Sequence, residues 1–425
     1  MTTPSRKAQH LLHFLSKDEK FGDLLDDISI KKEPFQDISP EIPGSISWSK
    51  EAQGKRLHYL KNQFNTSLDH LEGVGVFPDP TEYKGNIENF IGMTQIPTGI
   101  MGPLLIRGTE ARGDFFVPLA TTEGALVASY SRGAKATRLS GGITSVCLTE
   151  AVQRAPVFRF QSLPEVGIFA QWILNEIDNF KPIVAASSRF AKLEDIKLNM
   201  EGNQIIVVFE YTTGDAAGQN MVTICTDQIC QYILRNTPIK PSYYFIESNY
   251  SGDKKATAVS FTSVRGKKVT AEAFIKKEVV QKVLNSTPKD IAQYWQTSSV
   301  GAVQSGAIGI QGHYANGLAA LFLACGQDVA CVTEAYVGIT RMEVTETEDL
   351  YISVTLPSLI VGTVGGGTRL PTQSECLELL GCKGTGTARK FAEICGAVVL
   401  AGELSIAAAL TSGDFSKSHK LFGRK

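Results

Sequence analysis

Four short stretches of the chain hold side chains suited to moving protons or balancing charge. "SGDKKA" sets Asp253, Lys254 and Lys255 together, "ACGQDVAC" places Asp328 behind an apolar run, and "ATTEGALVAS" places Glu123 in similar company. The fourth, "TSGDFSKSHKLFGRK", spends one of six histidines, His419, six residues before the C-terminus. A histidine has an ordinary pKa of about 6.5 and suits proton transfer near neutrality. At a chain end it is most often solvated. Three adjacent charges such as Asp253, Lys254 and Lys255 suit a solvated turn equally well. The acids are harder to dismiss, because carboxylates are rarely buried without a partner. "SSRFAK" sets Ser188 beside Arg189, whose planar donor fork suits a phosphate, although a surface arginine is commonplace.

Other motifs exclude chemistry. "GTGTAR", from Gly384, approaches the glycine fingerprint of a dinucleotide-binding Rossmann turn, but Arg389 stands where the third glycine belongs. It also follows a helical run and not a strand. "GTVGGGT" (362–368) lacks the lysine of a phosphate-binding loop and reads as a tight turn or a close backbone approach. The eight cysteines form no CxxC pair, and Cys225 and Cys230 match no common zinc spacing. A chain of 425 residues needs no disulfide staples, so reduced thiols are expected.

The elements that must position these residues follow from composition and periodicity. Lys+Arg 42 against Asp+Glu 43 gives a net charge of -1, which supports neither a nucleic-acid partner nor an anionic-membrane surface. "SWSKEAQGKRLHYLKNQF" predicts a helix in a polar, proline-punctuated N-terminal region, residues 1–84. Gly-rich text follows, with a helix expected over 125–138 and Thr121 and Thr122 as cap candidates. Residues 156–246 change texture: "EVGIFAQWILNEIDNF" is helical in period and "NQIIVVFEYTT" is β-rich. Gly-rich text then returns, so one larger unit (85–155 and 247–410) is interrupted by a smaller one. "CGAVVLAGELSIAAALTSG" is nearly long enough to span a bilayer, but Glu403 at its centre favours a buried helix packed by Ala and Gly.

In order, "ENFIG", "IPTGIMGPL", "TTEGALVAS", "SNYSGDKKA", "ACGQD", "DLYISVTLPSLIVGTVGGGT", "AGELSIAAAL" and "KSHK" resemble the 3-hydroxy-3-methylglutaryl-CoA reductase family, in its NADPH-using, eukaryote-type branch. The resemblance covers roughly Gly85 to Arg424. It implies an α+β fold with a large domain around a long central helix, a ferredoxin-like small domain inserted in it, and a helical N-terminal region. It also implies reduction of hydroxymethylglutaryl-CoA to mevalonate with two NADPH, by a homodimer or homotetramer with shared active sites. A mobile tail, residues 411–425, is expected to carry His419. With no anchor evident, a free cytoplasmic enzyme is expected, the alternative being a catalytic fragment of a membrane-anchored one.

The same resemblance assigns roles. Lys254 is implied as the cation that meets charge on the thioester oxygen, and His419 as the proton donor to departing CoA thiolate. Glu123 is implied as the acid for the second reduction. Its pKa would be raised by burial beside Asp328, which bridges Glu123 and Lys254. The CoA-contacting stretch is Ser129, Tyr130, Ser131, Arg132, Gly133, Ala134 and Lys135. Arg154, Asn249, Lys255 and Asn316 match contacts to the acyl part. Ser188, Arg189 and Phe190 match the site of the NADPH 2'-phosphate. Asp215, Ala216, Ala217, Gly218, Gln219, Asn220 and Met221 match the nicotinamide-side loop, and Arg424 a tail contact to the cofactor. No metal is implied.

Three departures stand out. Ala217 and Gln219 replace two methionines of the family's cofactor loop, so NADPH preference rests mainly on Arg189. Thr297 stands where a lysine usually helps hold the substrate carboxylate. "ESN" replaces "SGN", bringing Glu247 near an anionic substrate, so either Glu247 points away or the pocket differs. These departures leave open a reductase of another acyl-CoA, or a silent CoA-binding relative. A cysteine-based acyltransferase lacks a recognisable nucleophile motif.

Overall fold

The computed structural model describes residue 8 and residues 21–24, 41–44 and 47–413. Helix α1 (Lys50–Phe64) begins where Ser49 accepts the Ala52 N–H and ends at Asn65 in the left-handed conformation. Its Leu60 packs with Leu68, Phe116 and Leu379. Strands β1 (Thr98–Gly108) and β2 (Arg112–Ala120) form an antiparallel pair. Helix α2 (Leu126–Leu139) follows within a residue of the expected bounds. Thr121 does not cap it. Its Oγ1 accepts the Glu123 N–H at 3.0 Å, and Ala125, at φ 71°, turns the chain into the helix.

Strand β3 (Ile143–Arg154) joins the two cores. Its first three residues pair parallel with β1, the stretch from Thr144 to Ala151 pairs antiparallel with β8 (Gly266–Ile275), and its last three residues pair with β6 (Gln204–Thr212). Between these lie β4 (Val157–Arg159), α3 (Leu163–Asn175), α4 (Ile177–Ser187) and β5 (Lys192–Glu201). After β6 come α5 (Gln219–Asn236) and β7 (Tyr243–Phe245). The single helical run read from "EVGIFAQWILNEIDNF" therefore breaks at Glu176. Strand order β7-β4-β6-β5, all antiparallel, with helices after β4 and β6, is a split βαβ, or ferredoxin-like, arrangement. Its apolar centre includes Phe158, Phe169, Phe180, Phe209 and Tyr211.

The larger core lies against β1–β3, β8, β9 (Ile339–Val344) and β10 (Leu350–Leu359), with α6 (Tyr314–Ala324) and α7 (Ala388–Ser412). Every residue of α7 from Phe391 to Ala409 is buried except Ile406. A helix apolar on all sides must be enclosed. By length and composition α7 could cross a membrane; in the fold it is the central core helix. It crosses α2 closely, since a Cβ on Gly133 would fall on the Ala401 carbonyl. Helix α7 runs to Ser412, two residues into the segment read as tail.

Candidate active site

Lys254 sits on the loop after β7 in the left-handed conformation, φ 54°. Its Nζ lies 2.9 Å from Asp328 Oδ2. The other Asp328 oxygen accepts the Ala330 N–H at 3.1 Å, so one oxygen fixes the turn and the other faces the lysine. The hydrogen bond to Asp328 raises the Lys254 pKa above its ordinary value, against a smaller opposing effect of burial. The pair is half open to solvent.

A buried ionic chain lies beneath it. Glu334 Oε1 accepts the Lys254 backbone N–H at 3.1 Å, while Glu334 Oε2 pairs with Arg265 Nη1. Arg265 Nη2 donates to Asp253 Oδ1 at 2.8 Å, and Arg154 Nη1 donates to Asp253 Oδ2 at 2.8 Å. Burial alone would raise the Asp253 carboxyl, but Arg265 and Arg154 hold it below its ordinary value. Glu334 is buried more deeply, and there burial prevails and its pKa is raised despite Arg265. Arg154 also donates to Thr223 Oγ1 at 2.8 Å, at the start of α5, so β3, the lysine loop and the small sheet's helix meet at one guanidinium. Lys255 is exposed, its Nζ donating to the Asp253 carbonyl. Asn249 is exposed at φ 67°.

Glu123 departs from its expected place. It is exposed, its Oε2 accepts from Asn316 Nδ2 at 2.8 Å, and among the described residues no hydrogen bond joins it to Asp328 or Lys254. The turn before α2 carries it outward to the N-terminus of α6. There His313, the residue preceding that helix, donates its N–H to Glu403 Oε1 at 2.7 Å and stacks on Tyr130 with centroids 5.4 Å apart.

Along α2 the helical period divides the seven expected CoA contacts. Tyr130, Gly133 and Ala134 face the core and offer no surface to a ligand within this chain. Ser129 and Arg132 both bond Ser405 of α7, and Lys135 is exposed. In the small unit, Ser188 Oγ accepts the N–H groups of Phe190 and Ala191, leaving its own hydrogen to donate. Arg189 is exposed over the Phe190 ring, itself 59% exposed.

The loop from Asp215 to Met221 is pinned from the large unit. Asp215 accepts the N–H groups of Gly386 at 2.7 Å and Ala388 at 3.1 Å, capping α7. Gly362 lies so close to the Ala216–Ala217 backbone that no side chain fits there. Gly218, at φ 79°, opens α5, with Asn220 exposed and Met221 packed on the small core.

A family model described as hydroxymethylglutaryl-coenzyme A reductase matches residues 52–424. The chain belongs to the hydroxymethylglutaryl-coenzyme A reductase family. Among its relatives is the 3-hydroxy-3-methylglutaryl-coenzyme A reductase of Pyrococcus abyssi, 44% identical over 86% of this chain and 91% of the relative. That of Aeropyrum pernix is 42% identical over 96% and 97% respectively. A structure of the class II enzyme from Streptococcus pneumoniae, bound to NADPH in open conformations, matches at TM-score 0.69 and 21% identity. It covers 86% of this chain and all of the other, a likeness of fold.

Within this reductase the departures take definite places. Gln219 Nε2 donates to Cys331 Sγ at 2.8 Å, tying the loop from Asp215 to Met221 to the turn that follows Asp328. Thr297 is exposed and its hydroxyl turns back to the Gln293 carbonyl of its own helix (Pro288–Ser305). Glu247 does not point away: its Oε2 lies 3.4 Å from Arg154 Nη1. All eight cysteines are free and buried. His419 and Arg424 lie outside the described residues. Sequence reasoning missed Arg265, Glu334 and His313. The first two carried no signal, while His313 stands three residues before Asn316 and could have been suspected.

Proposed function

We propose that the chain reduces 3-hydroxy-3-methylglutaryl-CoA to mevalonate and CoA with two equivalents of NADPH, as a cytoplasmic homodimer or homotetramer. The observation that carries the reading is the Lys254–Asp328 pair, held on a loop whose main chain is anchored by Glu334 in a member of this family. NADPH, when bound, supplies hydride. Ser188, Arg189 and Phe190 fit its 2'-phosphate end, offering a free hydroxyl hydrogen, an exposed cation and an exposed ring. The loop from Asp215 to Met221 fits the other end, at the N-terminus of α5, where backbone donors favour anionic groups.

Lys254 is placed to meet negative charge on the acyl oxygen, and a preorganised donor of this kind is worth roughly 2.7–4 kcal/mol of barrier. Asp328 keeps the lysine cationic and aimed. Glu123, oriented by Asn316, is the proton donor for the second reduction, and His419 the donor to the departing thiolate. Arg132 and Lys135 on α2 form the cationic side toward CoA, with the Ser131 hydroxyl beside them, and Asn249, Lys255 and Arg154 the acyl side. Sites shared between protomers would bring Glu123 toward the lysine pair. Val300 and Val303, 59% and 75% exposed on one helix face, are the kind of surface an interface covers.

The test is absorbance loss at the reduced nicotinamide band with hydroxymethylglutaryl-CoA and NADPH or NADH, on wild type, Lys254→Met and His419→Gln. Two cofactors oxidised per thioester, NADPH preferred and both variants slowed, is the expected result. No oxidation with either cofactor overturns it.

A further inference from the structure

The loop that carries Lys254 opens with a carboxylate turned inward. Glu247 Oε2 accepts from Ser251 Oγ at 3.0 Å, and from Arg154 Nη1 and the Ala155 N–H at 3.4 Å each. Its Oε1 is buried and, among the described residues, has no hydrogen-bond partner. Arg154 is 7% exposed and already serves Asp253 and Thr223 at 2.8 Å and the Gln219 carbonyl at 3.4 Å. Two arginines, Arg154 and Arg265, thus face three carboxyl groups, Glu247, Asp253 and Glu334. The two acids on Arg154 are not held alike. Asp253 is gripped at 2.8 Å by both arginines, whereas Glu247 meets Arg154 only at 3.4 Å, near the long limit of hydrogen bonding, is held closely by the Ser251 hydroxyl alone at 3.0 Å, and leaves one oxygen unmet among the described residues. Glu247 is the displaceable one.

We propose that Glu247 is a built-in competitor for the carboxylate end of the acyl substrate and so a determinant of affinity and specificity. This rests on the proposed function, in which Arg154 faces the acyl part. An arriving carboxylate must either share Arg154 with a like charge or push Glu247 out of its pocket, and both weaken binding. A ground state bound less tightly leaves more of the interaction to be realised in the transition state. An acyl chain without a terminal carboxylate meets no such opposition.

The experiment is calorimetric binding to the full chain of hydroxymethylglutaryl-CoA and of 3-hydroxybutyryl-CoA, which lacks the terminal carboxylate. Wild type is compared with Glu247→Gln and Glu247→Ser. Both variants are expected to bind hydroxymethylglutaryl-CoA about tenfold more tightly, about 1.4 kcal/mol, with 3-hydroxybutyryl-CoA changed less than twofold. Circular dichroism checks that each folds, and the near-isosteric glutamine decides should the serine variant not fold. Equal or weaker binding of the carboxylate-bearing ligand, no binding by a folded variant, or an equal gain for both ligands overturns the proposal. The readout is binding. A wild type that binds but does not oxidise NADPH would therefore sink the proposed activity alone, and the variants would still decide the role of Glu247.

Discussion

The backbone N–H of Lys254 donates to Glu334 Oε1 at 3.1 Å, across 80 residues of sequence. The same carboxylate answers Arg265, which is 2% exposed. A side chain that fixes the main chain of a left-handed residue and neutralises a buried arginine has two tasks that substitution separates. Glu334→Gln keeps an acceptor for the N–H but leaves Arg265 with Asp253 alone. Removing one partner of a buried pair costs about 3–5 kcal/mol. Urea unfolding should report that loss, with kcat falling further than the KM for NADPH changes. A variant as stable as wild type would show that Arg265 is satisfied by Asp253.

Lys254 is held protonated to higher pH than an ordinary lysine, whose value is 10.5, chiefly through its hydrogen bond to Asp328. Asp328→Asn removes the charge that favours the cation, so the lysine loses its proton at lower pH. The alkaline limb of kcat, followed from about pH 8 to 11, should move down in that variant. Lys254→Met should lower kcat by about 10²–10³. Its melting temperature should change little, because a half-exposed pair contributes little to stability.

Asp215 joins the loop proposed to hold the cofactor to the start of the central helix through Gly386 and Ala388. Asp215→Ala removes a cap worth about 0.5–2 kcal/mol and releases the loop that precedes α5. The KM for NADPH should rise several-fold more than that for the acyl-CoA, measured at saturating partner. Equal rises would place the loop's role in global stability.

Two glycines offer an opposite pair. Gly54 stands inside α1 with nothing among the described residues near its missing Cβ. Gly54→Ala should therefore stabilise the fold by about 0.5–1 kcal/mol. Gly133 is pressed on the Ala401 carbonyl where α2 crosses α7. Gly133→Ala should destabilise by about 1–3 kcal/mol or more. Thermal unfolding of both variants tests whether close helix packing, and not helix propensity, decides at each site.

What the sequence made legible followed local rules. The helix at 125–138, the β-rich "NQIIVVFEYTT", the buried apolar helix around Glu403 and the turn in "GTVGGGT" all carry period, cap or glycine signals, and each appears within a few residues of its expected place. The resemblance brought Lys254 and Asp328 together, and they do form a pair. What stayed hidden depends on contacts between distant segments. Arg265 and Glu334 are one arginine and one glutamate in unremarkable surroundings until β8 and the short helix Val332–Ala335 set them side by side. The exposure of Glu123 was likewise unreadable, because it lies in an irregular turn leading to Ala125, at φ 71°, and no pattern announces that turn.

Glu403 is the buried charge in the centre of the apolar helix, and its surroundings account for it. It accepts the N–H groups of Gly312 at 2.8 Å and His313 at 2.7 Å, the Thr340 hydroxyl at 2.7 Å, and lies 3.2 Å from His313 Nδ1. Burial alone would raise its pKa, yet His313 and these donors together depress it below 4.5. A depressed folded value means the unfolded chain takes up the proton first as pH falls. The stability Glu403 confers is therefore fully present above pH 4.5 and is lost as pH falls through the lower folded value. Glu403→Gln should cost about 3–5 kcal/mol at neutral pH, and its difference from wild type should shrink in acid, measured by urea unfolding at about pH 7 and pH 3. Since His313 precedes the helix that carries Asn316, and Asn316 holds Glu123, the variant should also slow the reaction. A stability difference that stays constant with pH would mean that Glu403 is protonated in the fold and acts through hydrogen bonds alone.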